Sequence, residues 1–446
     1  MSTESADPIP LSFSQDFMVM FDQGDQQGPF GPRYHVVYGW RVRGGIDVAT
    51  LRAALADVVT RHEILRTVLV RDEQSRHPEL FAPSQPELEI RDLTGTEVSA
   101  RDRAAEELLI EIEASEYSFA RAPMLRGVLG RFDDGDSVLV LIAQHISADV
   151  WSMQVIIKEL AEYYAARSAG REPELPPVVQ YREYATWERA AMAGESLERS
   201  RAYWRETLDG AKLIPTPSDF SRSANLPKNT SVERYLVGTD VTTATLELAR
   251  ATRSSPFMVL LAAYKVMLRE LTGETDITVT TMMSGRGQSR FENTVGSFFN
   301  FIALRTSLAG CESFREVVER VRRTCLGAFS HAIPFPMIMG DVPDLAQAFF
   351  AEDSQVFAFQ VFQFPFVMSA QRVGDLEYSE IRRRLLPASV STDIPDGALW
   401  TLDIDPTTNE MMGQLQFNSN RFEASTVGGL VARYLQVLKE SVSTPD

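Results

Sequence analysis

The chain has 446 residues, 44% of them hydrophobic and 24% charged, the mix of a globular protein long enough for two domains. Its 61 acidic residues outnumber its 44 basic ones, giving a formal net charge of −17, which argues against nucleic acid as a partner because phosphate binding needs clustered Lys and Arg. Two cysteines, Cys311 and Cys325, make neither a disulfide framework nor a zinc spacing, MSTESADPIP is no signal peptide, and the longest apolar runs, such as SVLVLIA at 137–143, are too short for a bilayer; a cytoplasmic protein with no membrane partner is expected.

In chain order, RYHVVYGWRV (33–42) is rich in β-branched and aromatic residues and reads as a strand. Val48, Leu51, Leu55, Val58 and Val59 follow at helical spacing. LRTVLVR (65–71) reads as a strand and RDRAAEELLIEIEASEY (101–117) as a helix. MLRGVLGRF (124–132) and SVLVLIAQ (137–144) flank DDGD, a hairpin signal. WSMQVIIKELAEYYAAR (151–167) returns to helix, and SAGREPELPPVVQ (168–180) breaks all periodicity. A second broken stretch covers 214–231, so residues 181–230 read as a connector between halves at 1–180 and 231–446. The second half offers strands at 231–238, 276–283, 298–307, 356–364, 399–405 and 413–422. Helices are expected at 242–253, 256–271 and 313–330, with a last one from Ser425. Two α+β halves of similar content suggest two similar subdomains.

Chemistry is sparse. No G-x-S-x-G elbow, Walker loop, C-x-x-C, H-E-x-x-H or dinucleotide glycine pattern is present, so serine acylation, nucleotide hydrolysis and zinc chemistry have no support, and no metal site is expected. What stands out is QHISADVWS (144–152), where an apolar run stops and a helix begins. Strand ends are where a rigid frame presents functional groups. An imidazole at His145 is suited to taking a proton from an attacking hydroxyl or amine; equally, it could satisfy a core hydrogen bond. Asp149, four residues on, either orients that ring or fixes the loop through a basic partner.

Several segments resemble, in order, those of nonribosomal peptide synthetase condensation domains. RHEILRT (61–67) resembles RHExLRT, and QHISADVWS resembles the HHxxxDGxS core. YREYATWER (181–189) and YWRETL (203–208) resemble YxDYAxWQ and the YW segment after it. SGR (284–286) with VGSFFNFIALRT (295–306) is similar to GR…xGxFxNTxxLR, HAIPFPMIM (331–339) to HxxxPFExL, and LSFSQDFM (11–18), more weakly, to SxAQxRMW. The resemblance implies an α+β fold of two chloramphenicol-acetyltransferase-like subdomains, set in a V-shaped pseudo-dimer with a tunnel at their junction. It implies an acyltransferase of antibiotic and other natural-product biosynthesis that joins an acyl or aminoacyl thioester to an alcohol or amine.

By the same resemblance no cofactor is bound; the donor arrives on the phosphopantetheine arm of a peptidyl or acyl carrier protein. His145 is the expected proton-handling residue, with Gln144, Asp149 and Arg286 supporting it, Arg286 as the partner of Asp149. Val150, Trp151, Ser152 and Asn300 are expected to line the tunnel or supply an oxyanion N–H. Two positions depart from the pattern: Gln144 replaces the first His of the core, and Val150 replaces its Gly. Val is tolerable there at negative φ and costly at positive φ. These departures support a second reading, a noncatalytic condensation-like module that recruits a tailoring enzyme. No adenylation or carrier signature is visible, so a free-standing enzyme meeting its carrier in trans and taking a small-molecule acceptor is expected. IRRRLL (381–386) reads as a solvated face or a dock for an acidic carrier protein.

Overall fold

The computed structural model describes residues 9–71, 75–364, 366–394, 397–405 and 407–446. It is an α+β protein that divides into two compact units. The first takes the described chain up to Met192, together with Ser284–Phe299 and Phe366–Ile381. The second takes Ala193–Met283, Asn300–Pro365 and Arg382–Asp446.

The first unit is built on a six-stranded sheet in the order Gln371–Val373, Leu376–Glu380, His35–Arg43, Asp136–Gln144, Leu125–Asp133, Leu88–Asp92. The most apolar run of the sequence becomes an inner strand, buried at every position from Asp136 to Gln144. Strand side chains alternate between faces, and here the alternation separates two cores. Leu139, Leu141 and Ala143 face the helices Val48–Arg61 and Val150–Ala169, while Val138, Val140 and Ile142 face the helix Arg101–Ala114. The helix Val150–Ala169 starts at Asp149, whose carboxylate accepts from the Ser152 N–H, and stops at Gly170, which takes φ 63°.

The second unit carries its own six-stranded sheet, in the order Phe299–Ser307, Asp276–Ser284, Phe357–Phe362, Ala398–Ile404, Met411–Asn418, Thr230–Val237. Helix Pro256–Thr272 packs against both Phe314–Ser330 and Ala424–Ser443. Trp400 is fully buried among Tyr264, Phe359 and Tyr434, and its indole N–H donates to Tyr235 at 2.5 Å. Among the described residues no helix is long and apolar enough to cross a membrane, and no group of acidic, His and Cys side chains could hold a metal ion.

The linear division expected at residues 180 and 230 is not how the chain packs. The helix Tyr181–Ala191 belongs to the first unit because Tyr181 and Tyr184 pack on Phe298. Trp204, farther along the expected connector, belongs to the second unit and donates to the His331 carbonyl at 2.7 Å. Leu376–Glu380 joins the first unit's sheet by pairing with Trp40–Arg43. That strand escapes a sequence reading because only Leu376 and Tyr378 of LEYSE are buried, too weak a pattern to register. IRRRLL is exposed only in part: the Arg383 side chain is 61% exposed, the Arg382 side chain is not. The Arg382 side chain is only 5% exposed and pairs with Asp403 at 2.5 Å and Asp405 at 3.2 Å.

Candidate functional site

His145 follows the last residue of the inner strand. The turn closes on the Gln144 carbonyl, which accepts from the Ser147 and Ala148 N–H groups at 2.9 and 3.0 Å. The His145 N–H points back to the Tyr34 carbonyl at 3.4 Å. The backbone on both sides of the imidazole is therefore tied to the sheet. The ring lies 5.4 Å from Tyr34 and 6.1 Å from Phe299, centroid to centroid. His145 keeps partial solvent exposure, yet protein crowds the ring closely enough that burial lowers its pKa below the ordinary imidazole value. Asp149 and the nearby carbonyls of His145 and Ala148 oppose that shift without overcoming it. Nδ1 is enclosed and has no hydrogen-bond partner of good geometry.

Asp149 anchors the loop. Its Oδ2 receives Arg286 Nη1 at 2.5 Å and the Phe298 N–H at 3.2 Å; its Oδ1 receives Arg286 Nη2 at 3.1 Å and both the N–H and Oγ of Ser152 at 2.7 Å. The Asp149 N–H itself donates to the Gly296 carbonyl at 3.1 Å. Burial pushes the carboxyl's pKa up, but the Arg286 charge and these hydrogen bonds outweigh it and hold the group below the usual carboxylate range. The Arg286 side chain is 1% exposed, lies 3.9 Å over the Phe298 ring, and also donates to Ser152 Oγ at 2.9 Å and the Thr294 carbonyl at 3.1 Å.

The other motif segments brace this clamp. Tyr181 donates through its hydroxyl to the Ser297 carbonyl, and its ring lies so close over Gly296 that any Cβ there would overlap it. Arg61 and His62 both bond Glu159 of the site helix, at 2.9 and 2.7 Å. Glu188 accepts from Tyr184 at 2.7 Å and from the Phe13 N–H at 2.9 Å, which docks the helix Phe13–Met20.

The structure brings His145, Gln144, Asp149, Val150, Trp151, Ser152 and Arg286 together within the first unit. Gln144 is buried at the strand end, opposite His35 in the ladder. Val150 is the first residue of the site helix and is not among the positive-φ residues, so a β-branched side chain fits where the family pattern has Gly. Three residues expected to line a tunnel or supply an oxyanion N–H have their side-chain polar groups engaged within the protein. Ser152 is fully buried, with its hydroxyl spent on Asp149, Arg286 and Gly296. The Trp151 indole N–H is bound to the Glu292 carbonyl at 2.9 Å. Asn300, in the second unit, uses both ends of its amide on the Ile333 carbonyl at 2.8 Å and the Phe335 N–H at 2.9 Å. Sequence reasoning missed His35, buried against Tyr117 and lowered by burial to a pKa of about 4; a histidine inside a strand pattern carries no local signal. It also missed Tyr34 and Phe299 beside the imidazole, and Phe17 against Phe299.

A strand end presenting a histidine, with the next helix capped by an arginine-clamped aspartate, defines the chain's class. The Condensation domain family profile matches residues 5–446, and the chain belongs to that family. Among solved structures it is similar to the SgcC5 protein of Streptomyces globisporus, with 48% identity, a TM-score of 0.94, and coverage of 98% of this chain and 99% of that one. That protein was solved with (R)-(-)-1-(2-naphthyl)-1,2-ethanediol and sucrose. The X-domain from teicoplanin biosynthesis shares the fold at 24% identity and a TM-score of 0.79, over 100% of this chain and 97% of that one. The dimodular nonribosomal peptide synthase of Bacillus subtilis (strain 168) is 30% identical over 461 residues, 99% of this chain but 18% of that protein. Against three linear gramicidin synthase proteins of Brevibacillus parabrevis that it also matches, the chain spans less than a tenth of their lengths, at 8%, 6% and 8%.

Proposed function

We propose that the first unit carries an acyl-transfer site in which His145 handles the proton. The donor is an acyl or aminoacyl thioester on the phosphopantetheine arm of a carrier protein met in trans, and the acceptor is a small free alcohol. The hydroxyl oxygen attacks the thioester carbonyl, its proton passes to Nε2 of His145, and the new C–O bond forms as the C–S bond breaks. The proton then leaves with the thiolate, giving an ester and a free carrier thiol. A thioester is already activated, so the site's tasks are positioning and this one proton. The Val150 N–H, in the open first turn of the site helix where no intrahelical acceptor exists, is the proposed donor to the developing oxyanion.

The observation that carries this reading is the placement of His145 at a strand end, its N–H bonded to the Tyr34 carbonyl and its ring between Tyr34 and Phe299, with burial lowering its pKa and so favouring the neutral form that accepts a proton. An alcohol needs such a base more than a neutral amine does. The vicinal diol bound to SgcC5, at 48% identity, supports an alcohol acceptor and an ester product. The recruiting alternative drew on Gln144 and Val150, and the helical, negative-φ position of Val150 removes one of those two supports.

The test supplies an acyl-loaded carrier protein and matched free alcohol and amine acceptors. We expect ester formation, with His145→Ala lowering turnover by roughly 10²–10⁴-fold and leaving the melting temperature unchanged. Equal turnover in a folded His145→Ala variant removes the assignment. If no acceptor reacts and the protein instead binds a tailoring oxidase, the recruiting reading takes over.

A further inference from the structure

The second unit carries a surface that the packing of its own core does not explain. The helix Thr239–Ala251 ends at Thr252, and Arg253 follows with φ 52°. The Ser254 N–H donates to the Ala249 carbonyl at 2.8 Å, and the Arg253 N–H to the Arg250 carbonyl at 3.2 Å. This left-handed position after a helix is the one glycine fills at least cost, because a Cβ is strained there. An exposed arginine is kept in it instead. Its carbonyl accepts from Arg322 Nε at 2.9 Å, which ties the turn to the helix Phe314–Ser330. Phe257, in the first turn of the helix Pro256–Thr272, lies 6.4 Å from Phe329 of that same helix, centroid to centroid.

These contacts gather Arg250, Arg253, Arg322 and Arg323 around Leu326 and the Phe257–Phe329 pair. Leu326 is 48% and Phe329 36% exposed, and both share a helix face with Arg322, at i, i+4 and i+7. Arg250 and Arg323 are exposed as well. Among the described residues none of the four arginines pairs with a carboxylate, although Glu247 and Glu319 lie within a helical turn of them. Arg315, near the other end of the same helix, does pair, with Asp446. In a chain of net charge −17, unpaired arginines around an apolar centre stand against the protein's own field. An apolar centre inside a charged rim is the anatomy of a protein interface, and the sign of this rim selects an acidic partner.

We propose that this face of the second unit docks the carrier protein, which lays an apolar side chain on Leu326 and Phe329 while its carboxylates meet Arg250, Arg253 and Arg323. The choice of the carrier as occupant rests on the acyl-transfer reading above. A partner met in trans has to be captured from solution, and an acidic one is repelled by the chain's net charge; this face reverses that repulsion locally. The strain at Arg253 then has a use, since glycine there would relieve the backbone and lose the charge.

The probes are an acidic peptidyl carrier protein, phosphopantetheinylated and aminoacyl-loaded, and the N-acetylcysteamine thioester of the same aminoacyl group, which offers the same carbonyl without a protein. Carrier binding is measured by calorimetry and transfer from both donors by product formation. The double variant Arg250→Glu/Arg323→Glu is expected to raise Kd and KM for the carrier by roughly tenfold or more, with kcat at saturating carrier and turnover of the small thioester unchanged. Carrier affinity of the unaltered protein is expected to fall as salt rises. Arg253→Gly is expected to weaken carrier binding while raising the melting temperature, a pairing that a merely structural role does not give. Equal carrier affinity in the unaltered and double-variant proteins, an equal loss with the small thioester, no carrier binding by the unaltered protein, or arginine-dependent binding of anionic phosphatidylglycerol vesicles in place of the carrier overturns the dock. Arginine-dependent carrier binding with no transfer from either donor leaves the dock standing and removes the acyl-transfer reading; transfer from both donors with carrier affinity indifferent to the arginines does the reverse.

Discussion

Arg286 holds Asp149 with both terminal nitrogens, at 2.5 and 3.1 Å, across 137 residues of sequence. Neither residue is spare. The same carboxylate starts the site helix and takes the Phe298 N–H, and the same guanidinium reaches Ser152 and Thr294. Removing the charge from Asp149 leaves Arg286 buried and uncompensated. Asp149→Asn is expected to cost about 3–5 kcal/mol of stability, read as a lowered denaturation midpoint, with activity falling in parallel. Because the carboxyl's folded pKa is depressed, the pair's contribution is complete above the ordinary carboxylate range and is lost only as pH falls below it. Loss of activity with an unaltered midpoint would make Asp149 a direct participant in the chemistry.

The His145 imidazole has its pKa lowered by burial from 6.5. Its neutral form is the one that accepts a proton. The acid limb of turnover with a carrier-loaded donor should therefore lie below pH 6.5. A limb centred above 6.5 contradicts the assignment.

How much of this is legible in the sequence follows from the kind of signal each residue leaves. His145 is visible because an apolar run ends at its doorstep. Asp149 is visible because an acidic residue precedes a helical pattern. Arg286 has no local signature, and only the spacing of a family motif points to it. The strand Leu376–Glu380 is invisible because its neighbour in the sheet, His35–Arg43, lies more than three hundred residues earlier and its own alternation is faint. The burial of Ser152 is hidden for a different reason: the groups that engage it, Arg286 and Gly296, come from a distant loop, so a serine beside an expected active residue looks like substrate contact.

Gly296 sits beneath the Tyr181 ring while its carbonyl accepts from Asp149 and Ser152 and its N–H donates to Ser152 Oγ. Gly296→Ala forces a methyl group into that ring. The expected cost is about 1–3 kcal/mol or more, with the ring or the loop displaced. A crystal structure of the variant with Asp149 and Arg286 unmoved and stability unchanged would show that this close approach is not required.

Lys265 is fully buried in the second unit and donates to the Ile277 and Leu304 carbonyls at 2.8 and 2.6 Å. Burial lowers its pKa from 10.5 to about 7. Between those values the unfolded chain holds a proton that the folded chain sheds, so raising the pH favours the fold. Lys265→Met should remove this part of the pH dependence. The measurement is the stability difference between the two proteins from pH 7 to pH 10; a difference that stays flat contradicts the shift.

The pairing of Trp40–Arg43 with Tyr378, Ser379 and their neighbours has a consequence for synthesis. A ribosome releases the chain from its N-terminus, so one edge of the first sheet waits for a partner until residue 380 has emerged. By then the strands Thr230–Val237, Asp276–Ser284 and Phe357–Phe362 of the other sheet have already been made. The nascent first unit therefore spends most of translation with an unpaired strand edge, the surface on which growing chains pair wrongly with one another. It also follows that no single contiguous fragment can be expressed as either unit: a gene cut after Met192 omits two strands of the first sheet and the Arg286 that its aspartate needs.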